Sequence, residues 1–191
     1  MNPTLLDGKK VVGSEGYILG EVDGVDIDLN SWKANAFYVT LSDEATAEFR
    51  LKKSFLSRIT VCLPTKLVKA VGEVITLKEP IRKLEDIAEK ETFASSIKLK
   101  GKKVLGAKGC FIGEVEGLDL DHSNWQVKGL QVSLTDDAAT KLGFKRPLLS
   151  KVVIIIPSEI VSIVGNFITL DEDIENLEAL VECIKSCQRQ K

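Results

Sequence analysis

The side chains best suited to chemistry in this sequence are two clusters of carboxylates that recur 93 positions apart. They are Asp23, Asp26 and Asp28 in the first cluster, and Glu116, Asp119 and Asp121 in the second. Carboxylates in such groups can bind divalent cations or act as acid and base. They alternate with apolar residues, however, so they should point to the solvent face of a β-hairpin. We therefore interpret them as a charged, protected sheet edge and predict no catalytic residues.

Metal and thiol chemistry also receive little support from the sequence. The only histidine is His122, and none of the four cysteines falls on a cysteine of the other repeat. Cys183 and Cys187 are four residues apart and would share a helix face, but His122 is far from them in sequence. Cys62, Cys110 and this pair are therefore expected to be thiols in packed surroundings. We predict no metal site and no cofactor.

Pairs of basic residues recur in both halves and could contact nucleic acid. They are Lys9, Lys10, Lys52 and Lys53, with Lys102, Lys103, Lys145 and Arg146 as their counterparts. Trp32 and Trp125 could stack on bases, although a tryptophan after an acidic hairpin is more often a core or capping residue. The net charge of -2 does not favour a polyanionic partner. Solvated lysines are the preferred interpretation, and nucleic acid is not the expected partner.

These recurrences belong to a duplication of the whole unit. A gapless shift of 93 positions aligns about thirty identical residues among some eighty. Since 191 residues can hold two small cores, we predict a first domain with a linker helix over 1–92. The second domain, with a C-terminal helix, is predicted over 93–191.

Each copy has the pattern of a small β-barrel. Short alternating segments separated by turn signals predict five or six strands per unit. The alternation slips by one residue at Gly24 and again at Gly117, which predicts a β-bulge at each glycine in a strongly bent strand. Backbone strain for a β-branched residue is expected at both positions. The predicted class is mostly β with some α, in two tandem barrels.

Short helical segments should accompany each barrel. Ser42 and Thr135 have the character of helix N-caps before short helical turns. Pro80 suits the first position of a helix that would run to about Phe93. A second helix should follow a cap at Asp171 or Asp173, with a wide apolar stripe. The stripe consists of Ile174, Leu177, Leu180, Val181, Ile184 and Cys187.

The motifs resemble the PRC-barrel family. The resemblance rests on GKKVVGSEGYILGEVDGVDID and LPTKLVKAVGEVITL in the first half, and on GKKVLGAKGCFIGEVEGLDLD, LGFKRPLL and IPSEIVSIVGNFITL in the second. It covers about residues 8–87 and 101–180. The first copy departs from the pattern at Phe49–Ser54, which lacks the glycine and proline of LGFKRP. The family resemblance implies two tandem PRC-type barrels.

The family resemblance also implies a function without catalysis. Archaeal stand-alone PRC-barrel proteins of the CdpB kind act as adaptors with SepF, the membrane anchor of FtsZ, and they resemble this chain in being nearly all barrel. The expected function is therefore a protein–protein adaptor in archaeal cell division. The expected partner is SepF or another PRC-barrel protein, and the chain is also expected to form a homo-oligomer. The alternative is a RimM-like accessory protein in ribosome maturation or RNA processing. Fold alone does not decide between them.

The expected partner surface lies where the copies differ. The segment 152–156 is apolar on both faces, whereas its counterpart 59–63 alternates with milder residues. The core should take Val152, Ile154 and Ile156. The predicted interface combines the remaining strand residues with the helix stripe: Val153, Ile155, Leu177, Val181 and Ile184.

The sequence carries only weak signals for the cellular location of the protein. No apolar run approaches the roughly 20 residues of a membrane helix. The start of the chain does not have the charged and then apolar pattern of a targeting segment. A cytoplasmic protein without membrane insertion is expected, with recruitment to the division site through a partner.

Overall fold

The computed structural model describes residues 6–49, 58–84, 99–144 and 151–177, which fall into two compact units. Unit 1 contains residues 6–49, 58–84 and 120–126 of this described part. Unit 2 contains residues 99–119, 127–144 and 151–177. The predicted domain boundary between residues 92 and 93 lies outside the described residues.

Unit 1 is built on a curled sheet of six short strands. The strands are β1 (Lys10–Val12), β2 (Ile18–Asp28), β3 (Lys33–Leu41), β4 (Thr60–Pro64), β5 (Val68–Val71) and β6 (Ile75–Leu77). Their spatial order is β5-β6-β1-β2-β3-β4. Helix α1 spans Asp43–Glu48, and 3₁₀ turns span Thr65–Leu67 and Ile81–Leu84. All pairs are antiparallel except β1 with β6, which is parallel.

Unit 2 repeats this arrangement, except that the hairpin end formed by residues 120–126 belongs to unit 1. Its strands are β7 (Lys103–Leu105), β8 (Phe111–Asp121), β9 (Gln126–Leu134), β10 (Val153–Pro157), β11 (Val161–Val164) and β12 (Ile168–Leu170). Their order is β11-β12-β7-β8-β9-β10. Helix α2 spans Asp136–Lys141, and a 3₁₀ turn spans Ser158–Ile160. The predicted mostly-β fold with short helices is confirmed.

Each curled sheet encloses an apolar core. In unit 1 the side chains of Leu19, Val39, Ile75 and Leu77 are fully buried. The corresponding positions of unit 2 are equally buried. They are occupied by Ile112, Val132, Ile168 and Leu170. Because alternate residues of one strand face opposite sides, these positions define an inner and an outer face for every strand.

The bulge predicted at Gly24 is confirmed. Val22 is opposite Val39 and Gly24 is opposite Tyr38, so Asp23 is the extra residue between them. The strain expected at Gly24 is not found, because its φ lies outside the left-handed region. An added Cβ there would lie 3.5 Å from Tyr38 Cδ2, an ordinary contact. The bulge at Gly117 stays a prediction.

A different glycine in the same strand is under a tight constraint. Gly20 pairs with Val11 on one side and with Leu41 on the other. A Cβ at Gly20 would lie 2.0 Å from the carbonyl oxygen of Thr40. The equivalent Gly113 would place a Cβ 2.1 Å from the carbonyl oxygen of Ser133. The long strands β2 and β8 therefore each need a glycine at this position, where the backbone of a neighbouring strand leaves no room for a Cβ.

The helix N-caps predicted at Ser42 and Thr135 are confirmed. Ser42 Oγ accepts a hydrogen bond from Ala45 N at 3.1 Å, and Thr135 Oγ1 accepts one from Ala138 N at 3.1 Å. These bonds satisfy backbone donors in the first turn of α1 and α2.

The two later helices are only partly described. The segment after Pro80 begins as a 3₁₀ turn, Ile81–Leu84, rather than an α-helix; the predicted continuation to Phe93 lies outside the described residues. The C-terminal helix begins at Ile174 and is described to Leu177. Within the described ranges, no helix has the length and apolar composition required to cross a bilayer.

Replacing Gly20 by alanine should destabilise the protein by about 1–3 kcal/mol or more, because the new methyl group overlaps a backbone carbonyl that cannot rotate away. Gly24→Ala is the matched control on the same strand, since its methyl group has room. Chemical denaturation of both variants measures the difference. Equal stabilities would contradict the proposed constraint.

Candidate functional site

The duplicated carboxylates close the hairpin turns. Asp28 Oδ1 accepts a hydrogen bond from Asn30 N at 2.9 Å, and Asp28 Oδ2 accepts one from Ser31 Oγ at 2.8 Å. The hydrogen bond from Ser31, followed by that from the Asn30 backbone, lowers the pKa of Asp28. Asp121 Oδ1 accepts hydrogen bonds from Ser123 N and Ser123 Oγ, at 3.0 and 2.6 Å. Such local turns explain the recurrence of these acids.

Other acids of the clusters also have local partners. Tyr38 Oη donates to Asp26 Oδ1 at 3.4 Å, and Lys151 Nζ lies 3.1 Å from Glu116 Oε1. Among the described residues, no group of three His, Cys, Asp or Glu side chains is placed to hold a metal ion.

One lysine of each duplicated pair has a structural role. Lys9 Nζ donates to the carbonyl oxygen of Gly72 at 2.6 Å, and Lys102 Nζ donates to that of Gly165. These carbonyls lie in the β5–β6 and β11–β12 turns, so each lysine ties β1 or β7 to the neighbouring hairpin. The recurrence of Lys9 and Lys102 thus has a structural cause that is unrelated to nucleic acid.

The thiols and the histidine are dispersed over the described chain. Cys62 is buried beside Ala36 and Tyr38, and Cys110 is half-buried. The ring of His122 lies 6.1 Å from that of Trp125 in an edge-to-face arrangement. Cys183 and Cys187, and the bases at 52, 53, 145 and 146, lie outside the described residues.

The two tryptophans occupy an unusual backbone conformation. Trp32 has φ of 51° and Trp125 has φ of 62°, values that are uncommon for a bulky side chain. The ring of Trp125 packs edge-to-face on Phe37, with centroids 5.3 Å apart, and its carbonyl accepts a hydrogen bond from Ala34 N. Segment 120–126 therefore contributes to the core of unit 1. The expectation of a core or capping tryptophan fits this contact better than base stacking.

A charged contact fixes the start of the C-terminal helix. Asp173 Oδ1 accepts a hydrogen bond from Lys108 N at 3.0 Å, and Asp173 Oδ2 lies 2.5 Å from Lys108 Nζ. The hydrogen bond with Lys108 lowers the pKa of Asp173, and the same bond raises the pKa of Lys108. The helix cap was expected at Asp171 or Asp173. Its carboxylate instead binds the β7–β8 turn, which attaches the helix to unit 2.

Unit 1 makes the equivalent contact, but its acidic residue lies in the turn and not at the start of the helical segment. Glu15, at the position of Lys108, accepts a hydrogen bond from Ile81 N at 2.8 Å through Oε1. Pro80 stands where Asp173 stands in unit 2. The acid therefore comes from the turn in unit 1 and from the helical segment in unit 2. We call these two contacts the turn–helix contacts.

The residues predicted as a partner interface are not equally accessible. Val153 is 45% exposed on β10, and Ile155, two residues further on the same face, is partly buried. Leu177 is only 1% exposed, so it packs within its own chain. Val181 and Ile184 lie outside the described residues. The interface therefore remains a prediction for Val153 and Ile155. Leu177 is too buried to contact a partner.

Sequence reasoning missed a second set of exposed apolar side chains. They are Tyr17, Ile18 and Val74 in unit 1, and Phe111, Ile163 and Phe167 in unit 2. The 93-residue shift aligns Ile18 with Phe111 and Val74 with Phe167. The sequence shows apolar residues at these equivalent positions of both copies, but only the strand register shows that they face outward.

Unit 1 also has a groove of about 1370 Å³ beside β1 and β2. Tyr17 and Ile18 line it, together with six acidic and three basic residues. The acids are Asp7, Glu15, Glu21, Asp23, Glu44 and Glu48; the bases are Lys10, Arg58 and Arg82. This composition favours cationic over anionic groups in the groove.

Comparisons with known proteins do not assign the chain to a family. No family model matches it, and no curated protein matches it. Among solved structures, the chain is similar to one described as a 16S ribosomal RNA processing protein, RimM, of Pseudomonas aeruginosa. That match has 11% identity and a TM-score of 0.25, and covers 88% of this chain and 97% of that one. A likeness this low carries no argument about function.

The contact between Lys108 and Asp173 should make stability depend on pH. Because the pKa of Asp173 is lowered on folding, its stabilising effect is present above its ordinary value of 3.8 and is lost as the pH falls through the lower folded value. Asp173→Asn keeps an acceptor for Lys108 N but removes the charge. Its melting temperature should lie below that of the wild type at pH 7 and converge with it in acid.

Thermal melts between pH 2 and 7 would measure this, with exposed Asp171→Asn as the control. A constant difference between Asp173→Asn and the wild type across that range would contradict a role for the charge.

Loss of the Lys9 side-chain donor should lower the free energy of unfolding by about 1 kcal/mol, because the Gly72 carbonyl loses its charged donor. Lys9→Met is the informative variant, and exposed Lys10→Met is its neighbour control. Denaturant titration compares them. If Lys10→Met cost as much as Lys9→Met, the role assigned to the carbonyl contact would be wrong.

Proposed function

We propose that the chain is a non-enzymatic adaptor that binds another protein through the outer face of β10. The observation that supports this most directly is Val153, an apolar side chain that is 45% exposed on that strand. Ile155 continues the same face, and β10 pairs with β9 alone among the described strands. Apolar side chains of this kind, near a sheet edge, are typical of a protein-binding surface.

The comparison of the two repeats supports the same proposal. The positions of Val153 and Ile155 are held in unit 1 by Thr60 and Cys62, and Thr60 Oγ1 lies 3.3 Å from Thr40 Oγ1. Their replacement by larger aliphatic residues in unit 2 makes the outer face of β10 more apolar. Asp28, Asp121, Lys9 and Lys102, in contrast, bind backbone atoms of neighbouring turns, which accounts for their recurrence.

The partner proposed for this face follows from the resemblance to PRC-barrel proteins. By that resemblance, a SepF-type protein would bind the chain and recruit it to the division site in an archaeal cell. A ribosomal protein would be the partner if the chain acts instead as a RimM-like accessory factor. The two proposals differ in the partner and share the requirement for a protein-binding surface.

Binding of a purified SepF-type protein from the source cell tests the proposal. The wild-type chain should bind it in isothermal titration, and Val153→Glu should weaken binding about tenfold or more, since a charge replaces an apolar contact. Val74→Glu is the matched control, because Val74 is also an exposed valine and lies in unit 1. Both variants should melt at the wild-type temperature.

The opposite result is equally clear. If the chain bound no SepF-type protein and instead bound purified ribosomal proteins, the division role would be wrong and the RimM-like role would replace it. Binding of a SepF-type protein with equal affinity by wild type and Val153→Glu would place the interface elsewhere.

A further inference from the structure

One hairpin of the second repeat is divided between the two units. Most of strands β8 and β9 lies in unit 2, but residues 120–126, which join these strands, lie in unit 1. We call residues 120–126 the hairpin end. The corresponding residues of the first repeat, 27–33, also lie in unit 1. Unit 1 therefore contains both hairpin ends, and unit 2 contains neither of them.

The hairpin end is bound in unit 1 by a ring contact and by backbone hydrogen bonds. The ring of Trp125 packs edge-to-face on the buried Phe37, with centroids 5.3 Å apart. Trp125 O accepts a hydrogen bond from Ala34 N at 2.8 Å, and Gln126 Nε2 donates one to the carbonyl oxygen of Ser31 at 2.9 Å. Loss of the hairpin end would uncover Phe37 and deprive the N–H of Ala34, itself a buried residue, of this acceptor.

The hairpin end is followed directly by a residue that is anchored in unit 2. Gln126, the last residue of the hairpin end, is opposite Lys33 of β3. The next residue, Val127, belongs to unit 2 and is fully buried. Its carbonyl oxygen accepts a hydrogen bond from Ser158 Oγ at 2.9 Å. Consecutive residues of one strand are thus held in different units, so a movement that frees one of them disturbs the contacts of the other.

The backbone of the hairpin end is strained at Trp125. Its φ of 62° lies in the left-handed region, which glycine adopts readily and a bulky residue rarely does. Such strain persists where surrounding contacts hold it in place, and the contact of the Trp125 ring with Phe37 is of this kind. The turn also has a hydrogen bond of its own, since Gln126 N donates to Asn124 Oδ1 at 3.0 Å. Glycine in place of Trp125 would therefore keep the turn and remove the ring contact.

We propose that the hairpin end couples the two units, so that they open and unfold together. Unit 1 is complete only when residues of the second repeat are in place, and unit 2 holds those residues through Val127. Opening of either unit therefore withdraws contacts from the other. Domains without such a shared element open separately, each with its own free energy. The coupling is a property of the fold and is independent of the adaptor function, which uses the outer face of β10.

Hydrogen exchange of the full chain, followed by mass spectrometry in increasing denaturant, tests the coupling. In the wild type, peptides of β3 and β4 in unit 1 should lose protection together with peptides of β11 and β12 in unit 2. In Trp125→Gly, β3 and β4 should lose protection first. Unit 1 should then open about tenfold or more often than unit 2, because it opens without breaking contacts of unit 2.

Trp32→Gly is the matched control. Trp32 has the same left-handed conformation, with φ of 51°, in the hairpin end of the first repeat. That hairpin end lies in the same unit as β2 and β3, which it joins. Trp32→Gly should lower the stability of the chain and leave a single unfolding step, because residues 120–126 keep their contacts.

Phe37→Leu tests the ring contact from the side of β3. Leu130 occupies the equivalent position in unit 2 and is fully buried there, so leucine is compatible with a core position of this kind. The variant should separate the two unfolding steps. Addition of Trp125→Gly should change exchange in β3 and β4 little further, since both substitutions remove the same contact. Phe37→Leu also carries the test if Trp125→Gly does not fold.

Several outcomes would overturn the proposal. A wild type whose units lose protection at different denaturant concentrations would have no coupling. Retention of a single step in both Trp125→Gly and Phe37→Leu would mean that other contacts join the units. Separate steps in Trp32→Gly would mean that a loss of stability in unit 1 is sufficient to separate them, and the role assigned to residues 120–126 would be wrong.

Discussion

The close approach of backbone to backbone at Gly20 and Gly113 is the constraint on which each unit depends. At Gly20 strand β2 lies against β3, and at Gly113 strand β8 lies against β9. Neither position has room for a side chain, since a Cβ would lie within about 2 Å of a carbonyl oxygen. This close approach lets β2 pair with β1 on one side and β3 on the other. This pairing thereby sets which residues face the core and which face outward.

Duplication within one chain separates structural from functional residues. Three kinds of residue recur because each binds backbone atoms whose position the fold requires: the lysines Lys9 and Lys102, the hairpin aspartates Asp28 and Asp121, and the helix caps Ser42 and Thr135. Lys9 and Lys102, for instance, each donate to a turn carbonyl 63 residues further along. Positions that diverge show where the units have different tasks. The outer face of β10 gains apolar bulk in unit 2, and so do the exposed positions of Phe111, Ile163 and Phe167.

Much of the fold could be predicted from the sequence, because the signals were local. Alternation predicted the strands, the phase slip located the bulge before Gly24, and Ser42 and Thr135 were correctly predicted as helix caps. The strain expected at Gly24 was wrong, since a phase slip does not reveal the φ of the glycine. The tight position, Gly20, has no local signal, because its neighbour Thr40 comes from another strand.

Residues of the candidate sites were harder to predict for the same reason. The stripe containing Leu177 indicated an apolar helix face but could not say what covers it, and Leu177 proved to be buried within its own chain. The sequence indicated only a helix cap at Asp171 or Asp173, and it did not indicate that the Asp173 carboxylate binds a turn. Its partner Lys108 lies 65 residues away in sequence, so local patterns could not reveal this contact. The exposed apolar side chains required the strand register, which alternation alone does not provide.

The turn–helix contacts have a consequence for the evolution of the gene. Two similar halves in one reading frame invite unequal recombination, which would make them identical again. Exchange of the turns alone would set Glu15 against the carboxylate of Asp173 in one unit and Lys108 against Pro80 in the other. In one unit two carboxylates would face each other, and in the other Ile81 N would lose the carboxylate that accepts its hydrogen bond. Either exchange would weaken the contact in its unit, so the residue in the turn and the residue at the start of the helical segment have to change together.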